Sequence, residues 1–279
     1  ANPDAITVGE VWTSNVSVED YLKGDELDLA FTFDLASQIL EKVNGGYGKQ
    51  LQRDIRSTVD AFKPGTYATF LTNHDQNRVM NEMANKPERA KMAATVLLTI
   101  PGTPFLYYGE EIGMNGAKPD EKIRTPMQWS AEKSAGFSTT FPWESVNADY
   151  TEKNVALQTD DPSSLLSTYR SLIQLRNNHI ALRIGDFVPV DTSNNAVLAF
   201  LRVHPDETVL VLINLGARPL TDLTVSLTQG LLSGKYNAYV LLGAGSPTAL
   251  EVDAQGGFTD YQPTTELPAY SSLIIQLLK

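Results

Sequence analysis

The chain has 279 residues, 42% of them hydrophobic and 20% charged, which is typical of a globular protein with one large or two smaller domains. Aspartate and glutamate number 33 against 22 lysines and arginines, and the net charge of −11 argues against nucleic acid or an anionic membrane as a partner. No apolar run reaches the roughly 20 residues of a membrane-spanning helix. With no cysteine and three histidines, disulfides, thiolate chemistry and a dense imidazole metal cluster are excluded, and carboxylate and hydroxyl chemistry remain.

The first 180 residues alternate between strand and helix patterns. Short apolar segments predict strands at 6–12, 29–33, 67–72 and 105–108. Helical spacing of apolar residues predicts helices at 50–62, 88–99 and 164–178. This alternation favours a parallel sheet covered by helices, either doubly wound or closed into a barrel. The irregular stretch 109–162 is long enough to be a functional loop or a disordered one.

From about residue 181 the pattern changes to alternating strands separated by turn residues, which is typical of a β-sandwich. The predicted strands are 187–190, 197–203, 209–214, 223–227, 236–242 and 271–278. The change of period predicts two domains, 1–180 and 181–279, without a flexible linker between them.

Polar clusters follow three of the predicted parallel strands, at the ends where α/β proteins carry their functional side chains. Glu10 ends the first strand, and Asp75 follows the third, 65 positions later. Two βα units span about that length, so in a barrel the two carboxylates flank the mouth with one strand between them. Paired carboxylates near Trp and Tyr side chains suit glycoside hydrolysis. Taken singly, Glu10, His74 and Trp12 have commoner roles as a surface carboxylate, a structural histidine and a core or rim aromatic.

The amino-acid sequences of four segments resemble motifs of a known family. Residues 9–12 (GEVW), 70–78 (FLTNHDQNR) and 102–114 (GTPFLYYGEEIGM) resemble three successive segments of the α-amylase family, glycoside hydrolase family thirteen, in the family's order. Residues 124–129 (RTPMQW), with Phe137 and Trp143 beyond them, resemble its oligo-1,6-glucosidase and α-glucosidase branch. The resemblance covers about residues 1–180, and the β-rich tail is similar to the family's usual C-terminal domain. It implies an α/β fold: the C-terminal half of a (β/α)8 TIM barrel, strands five to eight, followed by an antiparallel β-sandwich domain.

The resemblance also implies roles for the motif residues. Glu10 takes the general acid/base position and Asp75 the position that stabilises the oxocarbenium-like transition state through the sugar hydroxyls. His74 matches a histidine that binds a sugar hydroxyl. These roles agree with the physics, because an acid needs its pKa held up by burial and neighbouring charge, whereas a neutral imidazole can hydrogen-bond to a sugar at working pH.

Four further residues are expected to bind substrate by the same resemblance. Trp12 resembles a platform beyond the scissile bond, and Asn73 and Arg78 belong to the same segment as the catalytic Asp75. Arg124 resembles a contact at the sugar subsite next to the cut, with a loop salt bridge as the alternative. Glu110 is interpreted as a residue that holds a loop together.

Two segments of the family's machinery do not occur in these residues. The family's nucleophile is an aspartate in a Gly-x-Arg-x-Asp-Ala segment, which is absent here, as is the earlier Asp-x-x-x-Asn-His segment. We therefore expect the N-terminal half of the same enzyme, about 200 residues carrying strands one to four, to be the partner of this chain. Alone, the chain is expected to be inactive.

The predicted function is retaining hydrolysis of α-glucosidic bonds in malto-oligosaccharides, starch or related α-glucans. The alternatives are a relative that transfers or isomerises the glycosyl unit, a non-catalytic relative such as the transporter-associated ectodomains, and a truncated inactive chain. The chemistry is expected to need no cofactor. A structural calcium ion, the preference between α-1,4 and α-1,6 linkages, and an extracellular or cytoplasmic location are left open, because the markers for the first two lie largely in the half that is absent here.

Overall fold

The computed structural model describes residues 2, 4–13, 15–24, 26–230 and 232–279. Its first part is a four-stranded parallel sheet whose strands pair in chain order. The strands are β1 (Val8–Gly9), β2 (Leu29–Phe31), β3 (Tyr67–Thr69) and β4 (Thr103–Pro104). The last strand is shorter and earlier than the predicted 105–108, since Tyr107 and Tyr108 turn into the following loop and hydrogen-bond there.

Helices connect these strands and extend beyond them. They are α1 (Asn15–Asp20), α2 (Phe33–Gly45), α3 (Gly48–Ala61), α4 (Val79–Glu82), α5 (Pro87–Thr99), α6 (Asp120–Ile123), α7 (Val155–Thr159), α8 (Leu165–Asn178) and α9 (Ile180–Ile184). Pro87 starts α5 at the position where a missing N–H costs nothing, and the predicted helices at 50–62, 88–99 and 164–178 correspond to α3, α5 and α8. In the described part of the chain, no helix has the length and apolarity of a membrane span.

The two faces of the parallel sheet bury different side chains, because successive residues of a strand point to opposite sides. Ala30 and Tyr67 pack with Val18 and Phe62 on the helix-covered face. The other face, which corresponds to the inner face of the family's barrel, carries a cluster of aromatic rings with centroids 4.8 to 6.5 Å apart. This inner cluster consists of Phe31, Phe33, Phe70 and Phe105. Its rings form the floor beneath the carboxyl ends of the strands.

The long stretch 109–162 is ordered around a small core of its own. It contains the 3₁₀ turns Glu110–Ile112 and Lys133–Gly136 besides α6 and α7. Ile112, Met114 and Met127 are buried together against Leu166 of α8. The apolar side chains of the loop therefore attach it to the sheet and helix layers.

The C-terminal part is an antiparallel sandwich, as predicted. Its strands are β5 (Asp186–Pro189), β6 (Asp191–Thr192), β7 (Val197–His204), β8 (Glu207–Asn214), β9 (Val225–Leu227), β10 (Lys235–Leu242), β11 (Leu250–Glu251), β12 (Phe258–Tyr261) and β13 (Ser271–Leu278). A six-stranded sheet, in the order β11-β10-β13-β8-β7-β5, faces a three-stranded sheet, β12-β9-β6, across a shared apolar core. The short strands β6, β11 and β12 were not predicted, because their few residues show too little alternation.

The sandwich packs tightly on the helices of the first part. Gly48, the first residue of α3, touches the backbone of β7, and the buried amide of Gln52 donates to the carbonyls of Val190 and Ala199. One hydrophobic cluster includes side chains of α2, α3, α5 and α8 together with β7 and β8. The boundary predicted at 180/181 falls within α9, and the division into two domains stays a prediction.

Candidate active site

The carboxyl ends of the four parallel strands meet at one edge of the sheet. Glu10 follows β1 directly, and Asp75 lies six residues beyond the end of β3, with β2 between these two strands. Glu10 is exposed and Asp75 is partly buried. The structure thus places both predicted catalytic carboxylates at the same edge, in the strand order that the spacing indicated.

Asp75 is held by a group of charged and polar neighbours. The Nη2 of Arg124 donates to its Oδ1 at 2.5 Å, and the Nε2 of His74 lies 3.4 Å from its Oδ2. The backbone N–H of Asp75 donates to the Oδ1 of Asn73 at 2.9 Å, so Asn73 shapes the turn that presents the carboxylate. About a third of the Asp75 and Arg124 side chains is exposed, so a ligand can reach this pair.

Arg124 also bridges two segments of chain. Its Nε donates to the carbonyl of His74 at 2.9 Å, and its Nη2 donates to Asp120 at 2.9 Å. The loop salt bridge that the sequence left as an alternative is therefore present, and one of its partners is the predicted transition-state stabiliser. A planar guanidinium can fill both roles because it has five donors in a fixed arrangement.

Two of the other predicted binding residues differ in how far their side chains are exposed. Trp12 is 63% exposed and its ring stacks on Phe33 with centroids 4.6 Å apart, so its outer face is free for a sugar ring. Arg78 is only 1% exposed, and its guanidinium lies over the rings of Tyr107 and Tyr108. Its position in the motif indicated substrate contact; the side chain is buried in this chain, and substrate binding by Arg78 stays a prediction.

A pocket beside Arg124 contains residues that the sequence reasoning did not assign to the site. Its volume is about 400 Å³. Trp129, Phe137 and Trp143 are each roughly half exposed or more. The lining residues are Tyr108, Glu111, Arg124, Pro126, Met127, Trp129, Phe137 and Trp143. The Trp residues of the 109–162 stretch were the sequence signal for such a pocket. Only the folded loop brings these rings together next to Arg124, the partner of Asp75.

Two glutamates lie next to Tyr108 in this region, and one of them, Glu111, lines the pocket. Glu110 is 3% exposed, and its Oε1 accepts a hydrogen bond from the Tyr169 hydroxyl at 3.1 Å. Burial raises the pKa of Glu110 to about 8, and burial also raises the pKa of Glu111. A buried Glu110 bonded to α8 agrees with a role in holding the loop.

The raised pKa of Glu110 predicts a pH-dependent stability. Below pH 4.5, the pKa of this carboxyl in the unfolded chain, Glu110 is protonated in both the folded and the unfolded state. Between pH 4.5 and about pH 8, the unfolded chain loses this proton while the folded chain keeps it. The free energy of unfolding should therefore fall as pH rises through this window. Glu110→Gln removes this contribution, so its stability relative to wild type should increase by on the order of a few kcal/mol between about pH 5 and about pH 8.

Urea unfolding of both proteins at several pH values measures this difference. The matched control is Glu132→Gln, which removes an exposed carboxylate from the same long loop. Parallel stability profiles for wild type and Glu110→Gln would show that Glu110 is ionised in the folded protein.

Among the described residues, no three His, Cys, Asp or Glu side chains are grouped so that they could hold a metal ion.

Comparison with known proteins agrees with the resemblance. Residues 1–185 match the family model described as alpha amylase, catalytic domain. Alpha-amylase 3 of Dictyoglomus thermophilum is 33% identical over 219 residues, which cover 76% of this chain and 43% of that protein. An oligo-1,6-glucosidase of Halalkalibacterium halodurans is 29% identical, over 78% of this chain and 48% of that protein. The crystal structure of an alpha-amylase from H. orenii superposes with a TM-score of 0.80 at 29% identity, covering 99% of this chain and 54% of the other.

The chain shares the fold of this alpha-amylase structure. The chain belongs to the α-amylase family, as the match over residues 1–185 shows. It spans about half the length of the relatives that it matches.

Proposed function

We propose that this chain supplies the acid/base and the transition-state stabiliser of a retaining enzyme that hydrolyses α-glucosidic bonds of malto-oligosaccharides, starch or related α-glucans. The observation that carries the proposal is the shared sheet edge, where Glu10 lies across β2 from an Asp75 that is held by Arg124. His74, Asn73 and Trp12 surround this edge and are proposed to contact the sugar. The aromatic pocket beside Arg124 supports a carbohydrate ligand, because aromatic side chains provide flat apolar faces for sugar rings.

The proposed reaction has two steps. In the first, a carboxylate nucleophile bonds to the anomeric carbon as the glycosidic C–O bond breaks, and Glu10 gives its proton to the departing oxygen. In the second, Glu10 takes a proton from water, whose oxygen attacks the anomeric carbon and displaces the nucleophile. Two inversions retain the α configuration. Asp75 stabilises the positive charge that develops on the sugar between these states.

We further propose that the nucleophile lies on a segment outside these 279 residues, in the N-terminal half of the same enzyme. Within the described residues, β1 pairs only with β2 and β4 only with β3, so both edges of the parallel sheet are free to bind further strands. Phe31 and Phe105 of the inner aromatic cluster are only partly buried. A second half of a barrel would cover these rings and bury the exposed Glu10, as a general acid requires. Its nucleophile should lie about 5 to 5.5 Å from Glu10.

Hydrolysis of maltotriose tests the proposal. We expect release of glucose and maltose when the chain is combined with the upstream segment of its gene, and no release from either part alone. Product analysis separates hydrolysis from transfer or isomerisation, which would yield longer or isomeric sugars. Activity of the verified 279-residue chain by itself would mean that another carboxylate acts as the nucleophile. Inactivity of the combined parts towards α-glucosides would favour the non-catalytic relative.

A further inference from the structure

Two adjacent tyrosines hold the backbone on both sides of Arg124. The hydroxyl of Tyr107 donates to the carbonyl of Ile123 at 3.1 Å, and the hydroxyl of Tyr108 donates to the carbonyl of Thr125 at 2.7 Å. These carbonyls belong to the residues immediately before and after Arg124. The tyrosine pair therefore determines where the Arg124 side chain starts, at a point in the loop that has no strand and only the short helix α6 to support it.

Arg78 in turn fixes both tyrosines. Its guanidinium carbon lies 4.7 Å from each of the two ring centroids, and its Nη1 donates to the carbonyl of Tyr108 at 2.7 Å. The side chain is buried, and its Nε and Nη2 have no hydrogen-bond partner among the described residues, so the Tyr108 carbonyl and the two rings are the polar and π contacts that hold the guanidinium. The two rings lie edge to face with centroids 4.8 Å apart, so the guanidinium contacts both at once, which is a favourable and geometrically specific arrangement for a planar cation.

These contacts link residues of the candidate site in a series that begins and ends at the same motif. Arg78 follows Asp75 by three residues, Arg78 contacts the tyrosines, the tyrosines hold the backbone of Arg124, and Arg124 binds Asp75. We propose that Arg78, Tyr107 and Tyr108 are positioning residues that set the guanidinium of Arg124 against the carboxylate of Asp75. The consequence for catalysis rests on the role proposed above for Asp75, whereas the geometric part of the inference does not.

The geometric part is tested on the 279-residue chain by NMR of the arginine side chains. In wild type, the Nε–H of Arg124 should be protected from solvent exchange by its bond to the His74 carbonyl. The double variant Tyr107→Phe/Tyr108→Phe keeps both rings under Arg78 but removes the two hydroxyls, and it should lose that protection by about tenfold or more. Tyr239→Phe, which changes an exposed tyrosine of β10, is the control. Unchanged protection in the double variant would refute the inference.

The catalytic part is tested in the active, combined enzyme by a double-mutant cycle. Removing both hydroxyls should lower kcat on maltotriose by about 10- to 100-fold with little change in KM, since small displacements of a catalytic group have effects of this size. In an Arg124→Ala background the same change should have almost no further effect on kcat, while its effect on the melting temperature should remain. If the tyrosine change lowered kcat by the same factor with and without Arg124, the tyrosines would not act through Arg124.

The NMR and kinetic experiments distinguish a failure of this inference from a failure of the proposed function on which it rests. If the combined wild-type enzyme has no activity on α-glucosides, the proposed function fails, and the NMR arm alone decides the positioning role.

Discussion

Glu10→Gln is expected to lower kcat for maltotriose by about 10³-fold in the combined enzyme, because a positioned general acid contributes roughly that factor. Glutamine has the shape of glutamate but no proton to give to the departing sugar oxygen. A glucoside whose leaving group is already acidic, such as a dinitrophenyl α-glucoside, needs no such proton. For that substrate the first step should be nearly unaffected, and the glycosyl-enzyme should accumulate because water then lacks its base.

A second variant tests the step in which Glu10 acts as a base. Azide needs no proton removed, so adding it to Glu10→Ala should restore turnover of the activated substrate and give the α-glucosyl azide that retention requires. Glu132→Gln is the matched control, since Glu132 is an exposed glutamate that does not line the pocket beside Arg124, and it should be fully active. Near-normal hydrolysis of maltotriose by Glu10→Gln would remove Glu10 from the acid/base role.

Gly48→Ala is expected to destabilise the protein by about 3 kcal/mol and to lower its melting temperature by about 5 to 10 °C. Gly48 is the first residue of α3, and an added Cβ would collide with backbone atoms of Val197 and Leu198 in β7. A backbone cannot rotate aside as a flexible side chain can, so α3 would have to move away from the sandwich. That movement would also disturb the hydrogen bonds from Gln52 to Val190 and Ala199.

Thermal unfolding of the protein with and without the substitution measures the effect. Gly24→Ala is the control, because a Cβ at Gly24 meets no atom within 4 Å. Both substitutions reduce the freedom of the unfolded chain to a similar extent, so their difference reports on the packing at β7. Equal melting temperatures for the two variants would mean that the contact between α3 and the sandwich is loose in solution.

Features that depend on neighbouring residues were predictable from the sequence. The alternating short apolar and helical segments indicated a parallel sheet, and strand pairing in chain order brought Glu10 and Asp75 to one edge. The same local logic predicted the main strands of the sandwich, since each shows its own alternation. The predicted position of β4 was wrong by a few residues. Tyr107 and Tyr108 have a strand-like composition, but hydrogen bonds direct them to a segment fifteen or more positions away.

What the sequence by itself determined is therefore the order of the elements, the family, and which residue types follow each strand. Only the tertiary structure decided which way those side chains point and which distant segments they meet. Arg78 and Asp75 belong to one motif, yet packing buries the first against two tyrosines while the second stays accessible. The ion pair between Asp75 and Arg124 and the pocket that joins Tyr108 to Trp143 depend on the course of a long loop. That course is set by the burial of Ile112, Met114 and Met127 against α8, a balance of many weak contacts that no local pattern records.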